Sequence, residues 1–383
     1  MRSYRIRFLP ANKTIEVTEG TTILKAEQMA GLKPDAPCGG RGICGKCNVT
    51  IRRNYESTVV SACQTRIEGD MVIETGDRSD DKVHVLTSGE YRAVTVNPAV
   101  KDASQGWLMA FDIGTTTIAG YLLSGKDGHQ CDVVSMMNPQ FQFGAAVMAR
   151  ANNDGVRMQE VVQEALNELI EETCKNTGIS PTDIRLVSIA GNTCMHHLFL
   201  GISPRSLVVA PYVPKIKDGM ILNASDLKIN IHPDGKVMML PNIAGFVGAD
   251  TAACMLAVNF GKRKPMTLMI DIGTNGELVL GNEDRIVTCS TAAGPAFEGA
   301  RISCGMRGTK GAVSHVYEQN LKMNMEIIDS QTAVGICGSG LIDIMAFLIQ
   351  YEFIDSSGAF QKPNELVTAV GKKNNWRLQK REG

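Results

Sequence analysis

Four cysteines near the N-terminus, Cys38, Cys44, Cys47 and Cys63, constrain this chain more than any other feature. Five residues separate the first two, two separate the next pair, and fifteen precede the last. A close trio with one distant partner suits a two-iron, two-sulfide cluster, in which each iron takes two thiolates. The glycines Gly39, Gly40, Gly42 and Gly45 serve the same purpose. Backbone that wraps a cluster must turn tightly and approach sulfide with no Cβ in the way. Zinc is the competing metal. Its sites usually join two CxxC-like halves, and only Cys44–Cys47 has that form here. Four merely buried thiols would not call for a polar, glycine-rich loop.

The flanking sequence resembles a [2Fe–2S] ferredoxin, with a first gap of the adrenodoxin-like rather than the plant length. RIRFLP and KTIEVTEG alternate apolar and polar residues, which predicts two strands joined by a turn at residues 10–12. TTILKAEQMAG opens on a threonine N-cap and closes at Gly31, which predicts a short helix. CNVTIRRN and DMVIETG predict further strands. The order strand, strand, helix, cluster loop, strand is that of a β-grasp domain over residues 1–76. A charged segment with one short apolar alternation, residues 77–105, predicts a linker.

Hydrophobic residues at 44% and charged residues at 21% describe a globular protein, and a net charge of −1 gives no reason to expect nucleic acid. No apolar run approaches the ~20 residues of a membrane span. The first ten residues lack the apolar stretch of a signal peptide. Eleven cysteines without such a signal imply a reducing, cytoplasmic setting. The seven outside the cluster motif, Cys131, Cys174, Cys194, Cys254, Cys289, Cys304 and Cys337, show no ligand spacing and are expected to be small buried hydrophobes.

A second feature is a repeat. GWLMAFDIGTTTIAGYLL contains Asp112, Gly114, Thr115, Thr116 and Thr117; MTLMIDIGTNGELVLG, about 160 residues later, contains Asp271, Gly273, Thr274, Asn275 and Gly276. Each is an apolar strand, an Asp-Ile-Gly-Thr turn and a second apolar strand. An Asp at a strand end can bind Mg²⁺ directly or through water. The turn that follows offers backbone N–H groups and hydroxyls to phosphate oxygens. Two such hairpins can clamp a nucleotide, and the wide spacing indicates a duplicated fold.

These segments resemble the phosphate motifs of the actin-like (ASKHA) ATPases, a ribonuclease H-like fold. LVSIAGNTCMHHLFLG, with Asn192 and Thr193 at a helix start, is similar to a connecting segment of that superfamily. GFVGADTAACM, with Asp250, repeats the scheme, and AGPAFEGA places Gly294 in a tight loop. CGGRGICGKC, FDIGTTT, NPQFQFGAAVMAR, AGNTCMHHL, GFVGADTAA, IDIGTNGE, AGPAFEGA and GICGSGLID together resemble the reductive activators of corrinoid proteins. The resemblance implies a [2Fe–2S] cluster on the four cysteines, and ATP with Mg²⁺ on the remaining residues named, Asp112 and Asp271 being catalytic. It implies reduction of Co(II) to Co(I) on the corrinoid protein of a methyltransferase system, fed by an upstream electron donor, with a homodimer as an option. A ferredoxin cluster near −400 mV is too weak a reductant to make Co(I) unaided. Each ~59 mV uphill costs about tenfold in equilibrium. Inverting a 1:99 population takes ~5.5 kcal/mol of differential binding, which a nucleotide-driven change in contacts can supply.

The implied fold is α+β and α/β: the ferredoxin domain, then a first ATPase lobe over 106–264 and a second over 265–383. No second Gly-Gly segment on a strand follows residue 340, so the second lobe is expected to be incomplete and to lack adenine contacts. An electron-transfer protein whose ATPase region only docks a partner is the alternative; a small-molecule kinase leaves the cluster without a role. Among the other residues, one of His196 and His197 is expected in the core and one at the surface. Arg150 and Asp154 read as a solvated helix face. Met136, Met137, Met238 and Met239 read as strand core, Lys262–Lys264 as a surface run and QEALNELIEETCKN as a packed amphipathic helix.

Overall fold

The computed structural model describes residues 2–32, 34, 36, 40, 42, 47–53, 56–75, 105–143, 150, 155–273, 275–292, 296, 302, 304–319, 322–359, 367–370 and 375–378. Strand β1 (Ser3–Leu9) pairs antiparallel with β2 (Lys13–Thr18), Ile6 facing Ile15. Asn12 turns the corner at φ 51°, a left-handed backbone that Asn tolerates. Helix α1 (Ile23–Met29) begins at Thr22, whose side chain accepts from the Lys25 N–H, and gives way to Gly31 at φ 67°. Strands β3 (Asn48–Arg53), β4 (Glu56–Ser61) and β5 (Met71–Glu74) complete a sheet in the order β2-β1-β5-β3-β4, with β5 parallel to β1. Ile6, Phe8, Val17, Ile23, Ile67 and Ile73 form its core. The sequence pattern does not mark strand β4. It is an edge strand held by backbone pairing to β3, and Ser57, Thr58 and Val59 are all exposed, so it has no alternation to read. The expected linker falls almost wholly outside the described residues.

The second sheet begins with an antiparallel meander, β6 (Trp107–Ile113), β7 (Thr117–Ser124) and β8 (Gln130–Met137). Strand β9 (Ile184–Gly191) then pairs parallel with β6, β11 (Lys236–Met239) parallel with β9, and β10 (Met220–Asn223) closes the edge antiparallel. Helix α2 (Gly155–Thr177) links β8 to β9. Its stripe of Met158, Val162, Leu166, Leu169 and Ile170 packs with Phe111, Ile118 and Ile189 of the sheet. Three antiparallel strands followed by parallel ones make the ribonuclease H-like half that the first Asp-Ile-Gly-Thr hairpin implied. Short helices α3 (Thr193–Phe199) and α4 (Ala249–Ala257) follow β9 and β11.

The repeat appears again in β12 (Thr267–Ile272), β13 (Asn275–Gly281) and β14 (Ile286–Ala292), an antiparallel sheet. Asp112 faces Ala119 across its hairpin, and Asp271 faces Glu277 across the other. Leu268, Ile270, Ile272, Leu280 and Val287 are exposed on this smaller sheet. The chain up to residue 294 lies in one compact unit, and residues from 295 onward form a second. In that second unit β15 (Ala312–Gln319) pairs with β16 (Lys322–Ile327) and β17 (Gly335–Ile336). Helix α5 (Gly338–Gln350) has Cys337 as its N-cap and packs Ile344 and Leu348 on Val313 and Val316. Strands β18 (Val367–Val370) and β19 (Asn375–Leu378) form a hairpin.

Three residue expectations are corrected. His196 and His197 are both buried, because α3 is enclosed on every side. Arg150 is wholly buried rather than solvated, while Asp154 lies outside the described residues. Of the seven cysteines outside the cluster motif, only Cys174, Cys194 and Cys337 are buried; Cys131, Cys254, Cys289 and Cys304 are exposed, since they occupy the outer faces of their elements or loops. Phe111 is 2% exposed at the centre of the larger core. Phe111→Ala should cost about 3–5 kcal/mol, read as a lower urea midpoint, because the emptied volume cannot close.

Candidate functional site

Parallel neighbours β6 and β9 bring the turns at their C-terminal ends to one edge of the sheet. Gly191 makes this possible: a Cβ there would lie 2.8 Å from the Ile113 carbonyl oxygen. Asn192 then caps α3, its Oδ1 accepting from the Met195 N–H at 3.0 Å. This leaves Nδ2 to donate to Thr115 Oγ1 at 2.9 Å, which ties the two turns together. Thr193 Oγ1 donates to the Ala244 carbonyl at 2.7 Å, and Gly248, N-cap of α4, packs so closely that a Cβ would stand 2.5 Å from Asn192 Cα. Gly114 sits where a Cβ would meet the Thr117 carbonyl oxygen at 2.7 Å. The predicted residues Asp112, Gly114–Thr117, Asn192, Thr193 and Asp250 are thus gathered around one edge.

The second hairpin adds Asp271, Gly273, Asn275 and Gly276, with the Gly273 N–H donating to the Asn275 carbonyl at 2.9 Å. Thr274 and Gly294 lie outside the described residues. Asp271 is linked to the first hairpin through its charge. Water touches Asp112, but the surrounding protein withdraws enough of it that burial lifts this carboxyl to about 6; the charges of Asp250 and then Asp271 push the same way. Burial also raises Asp250 and Glu277, each further raised by Asp271, while the Thr251 N–H and the Ser290 hydroxyl pull them back. Cys254, one turn beyond Asp250, keeps an exposed face, yet the protein packed around it and then the charges of Asp271, Asp250 and Asp112 push its thiol up to about 11. A cation would relieve this repulsion. No three His, Cys, Asp or Glu side chains among the described residues are grouped to hold a metal ion alone.

In the ferredoxin domain Cys47 and Cys63 are buried at 2% and 8% exposure. The Ala62 N–H donates to the Cys47 carbonyl at 2.8 Å, so backbone pairing sets Cys47 beside the residue that precedes Cys63. Gly40 and Gly42 take φ of 86° and 73°, and a Cβ on Gly40 would lie 3.8 Å from Cys63 Cβ. This cradle fits a thiolate-held cluster. Cys38 and Cys44 lie outside the described residues.

Several residues near the site carried no sequence signal of their role. Asn138, Gln140 and Arg150 are wholly buried behind the first turn. They were visible only as members of the motif NPQFQFGAAVMAR. His197 donates through Nδ1 to the Thr193 carbonyl at 2.7 Å and accepts at Nε2 from the Lys215 N–H at 3.0 Å, which fixes a neutral ring. Burial, with His197 beside it, lowers His196 to about 4, so it too is neutral. At the tip of the loop before α4, Phe246 packs on Tyr212 with ring centroids 5.5 Å apart, and both are partly exposed.

Three family models match the chain: a 2Fe-2S iron-sulfur cluster binding domain over residues 7–73, the RACo middle region over 107–263, and the C-terminal domain of RACo, the ASKHA domain, over 265–382. The chain is 31% identical to the corrinoid activation enzyme RamQ of Eubacterium limosum, over 94% of its own length and 73% of that protein. It is 26% identical to the Co(II) methylated amine-specific corrinoid protein reductase of Methanosarcina barkeri, over 64% of its length and 51% of that protein. A solved structure of a reductive activator for a corrinoid, iron-sulfur protein superposes with a TM-score of 0.62 at 29% identity, covering 97% of this chain and 76% of the other. No helix among the described residues is long and apolar enough to cross a membrane.

The raised carboxyl of Asp112 gives a signed prediction. Its value in the fold, about 6, lies above its ordinary 3.8. The folded state therefore keeps a proton that the unfolded chain has released. This favours folding at low pH and is lost as pH rises through about 6. Asp112→Asn removes the charge, so without nucleotide it should melt above the parent at about pH 8, with the gap closing toward about pH 4. Equal melting temperatures at the higher pH would refute the electrostatic reading.

Proposed function

The chain belongs to the family of reductive activators of corrinoid proteins, and we propose from that premise that it uses ATP to drive reduction of a corrinoid protein's Co(II) to Co(I). The observation that carries this is the convergence of three glycine-shaped turns on Asn192, in a chain that also bears the cysteine cradle. We assign residues 1–76 to the ferredoxin domain, 77–105 to a linker, and 106–264 and 265–383 to the two ATPase lobes. Cys38, Cys44, Cys47 and Cys63 would hold a [2Fe–2S] cluster; the buried thiols of Cys47 and Cys63 and the positive φ of Gly40 and Gly42 fit it. Bound there, the cluster supplies one-electron transfer at ~−400 mV.

ATP fits the other site. Gly114–Thr117, Asn192, Thr193, Gly273–Gly276 and Gly294 would contact its phosphates through backbone N–H groups and hydroxyls. Asp112, Asp250 and Asp271 would hold Mg²⁺ through water, each carboxylate losing part of its repulsion as the cation enters. Asp112, close to its titration point, would shed its proton when the cation binds. The turns report the nucleotide state because Asn192 joins them: whatever shifts Thr115 also shifts the start of α3. A partner that binds one arrangement more tightly is thereby loaded or released. The partner is the corrinoid protein of a methyltransferase system, and an upstream electron donor and a cytoplasmic setting go with this reading.

The test is anaerobic. The full chain is reconstituted with iron and sulfide, reduced, and mixed with a Co(II) corrinoid protein, with and without ATP and Mg²⁺. Co(I), read by its visible spectrum, should accumulate only with ATP. Cys63→Ser replaces a soft thiolate with a poorly deprotonated oxygen and should lose the cluster's iron, sulfide and reduced-state EPR signal along with Co(I) formation. Equal Co(I) yields without ATP would sink the proposal.

A further inference from the structure

Asn138, Gln140 and Arg150 are polar, 0% exposed, and lie directly behind the first phosphate turn. Asn138 Nδ2 donates to the Gly114 carbonyl at 2.7 Å. An Arg150 Nη2–H donates to the Thr115 carbonyl. The Asn138 backbone N–H donates to the Thr116 carbonyl at 2.8 Å. Three successive carbonyls of the turn are therefore held from one side. The holders are themselves fixed. Asn138 Oδ1 accepts from the Gln140 N–H at 2.9 Å, Gln140 Nε2 donates to the Met158 carbonyl at 2.9 Å, and Arg150 Nη1 lies 3.4 Å from Gln140 Oε1 and 3.3 Å from Met195 Sδ.

In a trans peptide the N–H points opposite to the C=O. Anchoring the carbonyls of Gly114 and Thr115 toward the interior turns the N–H groups of Thr115 and Thr116 the other way, toward the edge where Asn192 meets Thr115 Oγ1. Successive N–H groups on one side of a turn make an anion-binding concavity. We infer that Asn138 and Arg150 are positioning residues, which set the peptide planes of residues 114–116 so that the turn receives a terminal phosphate of the nucleotide. Gln140 braces both of them. The assignment rests on the nucleotide reading above. It goes further in explaining why the NPQ…R motif is buried: its side chains form a platform that touches no ligand yet fixes the donors that do.

The probe is inorganic pyrophosphate with Mg²⁺, followed by millisecond hydrogen exchange on the full chain. In the parent, exchange at Thr115 and Thr116 should slow on adding pyrophosphate. Arg150→Lys keeps a charge but loses the planar fork, and Asn138→Asp replaces the donor with a repelling acceptor. Each should weaken the pyrophosphate effect about tenfold or more in concentration, the loss of one charge-assisted hydrogen bond's worth of ordering. A merely structural network would lower the melting temperature of the variants and leave that concentration unchanged, which overturns the inference. Variants that fail to fold leave the parent to decide: no slowing at 115–116 while calorimetry records ATP binding also overturns it, with the nucleotide reading intact. Absence of ATP binding in the parent would refute the nucleotide reading on its own terms, whereas pyrophosphate slowing would still place the phosphate on this turn.

Discussion

Parallel pairing of β6 with β9 is the contact on which the larger half of this molecule depends. It places Ile113 beside Gly191, so the chain leaves both strands at the same edge. Any side chain at Gly191 would push against the Ile113 carbonyl and part the strands there. With the strands together, Asn192 reaches Thr115, and one amide both caps a helix and joins two turns. The site is a by-product of strand order: a sheet with β9 elsewhere would carry the same motifs and bring none of them together.

Electrostatics at that edge runs against the stability of the empty protein. Burial raises the carboxyls of Asp112, Asp250 and Glu277, and the charge of Asp271 pushes each of the three further up. Carboxylates gathered this way are tolerated because the core beneath them is large and apolar, with Phe111, Ile113 and Ile189 each nearly or wholly buried. The fold holds its acids in place at some cost, which a bound cation would offset.

What was legible in the sequence follows from how local each signal is. Cysteine spacing and the Asp-Ile-Gly-Thr repeat are local, because the glycines and the strand patterns that create them are adjacent in the chain. The matching architecture, β-grasp sheet followed by ribonuclease H-like halves, could be read from them. Burial of Arg150 could not. A guanidinium among Asn, Gln and Gly reads as solvated until α3, distant in the chain, brings Met195 against it. The same holds for His196 and His197, whose ring environment comes from Asn242 and Lys215. Strand β4 escaped because an exposed edge needs no apolar pattern, only a paired neighbour. Exposure of Cys254 and Cys289 depends on which face of a helix or sheet the rest of the chain covers, which a lone cysteine does not declare.

The contact between Gly248 and Asn192 has a mechanical consequence. With no Cβ between them, and with Thr193 bonded to Ala244, the loop ahead of α4 and the turn ahead of α3 have no slack. They form a yoke rather than two hinges. Phe246, at the outer end of that loop, leans on Tyr212, whose backbone is held at φ 62° with Gly245 against its carbonyl. The turn at Asn192 and the Phe246–Tyr212 pair at the molecular surface are thus the two ends of one closely packed loop.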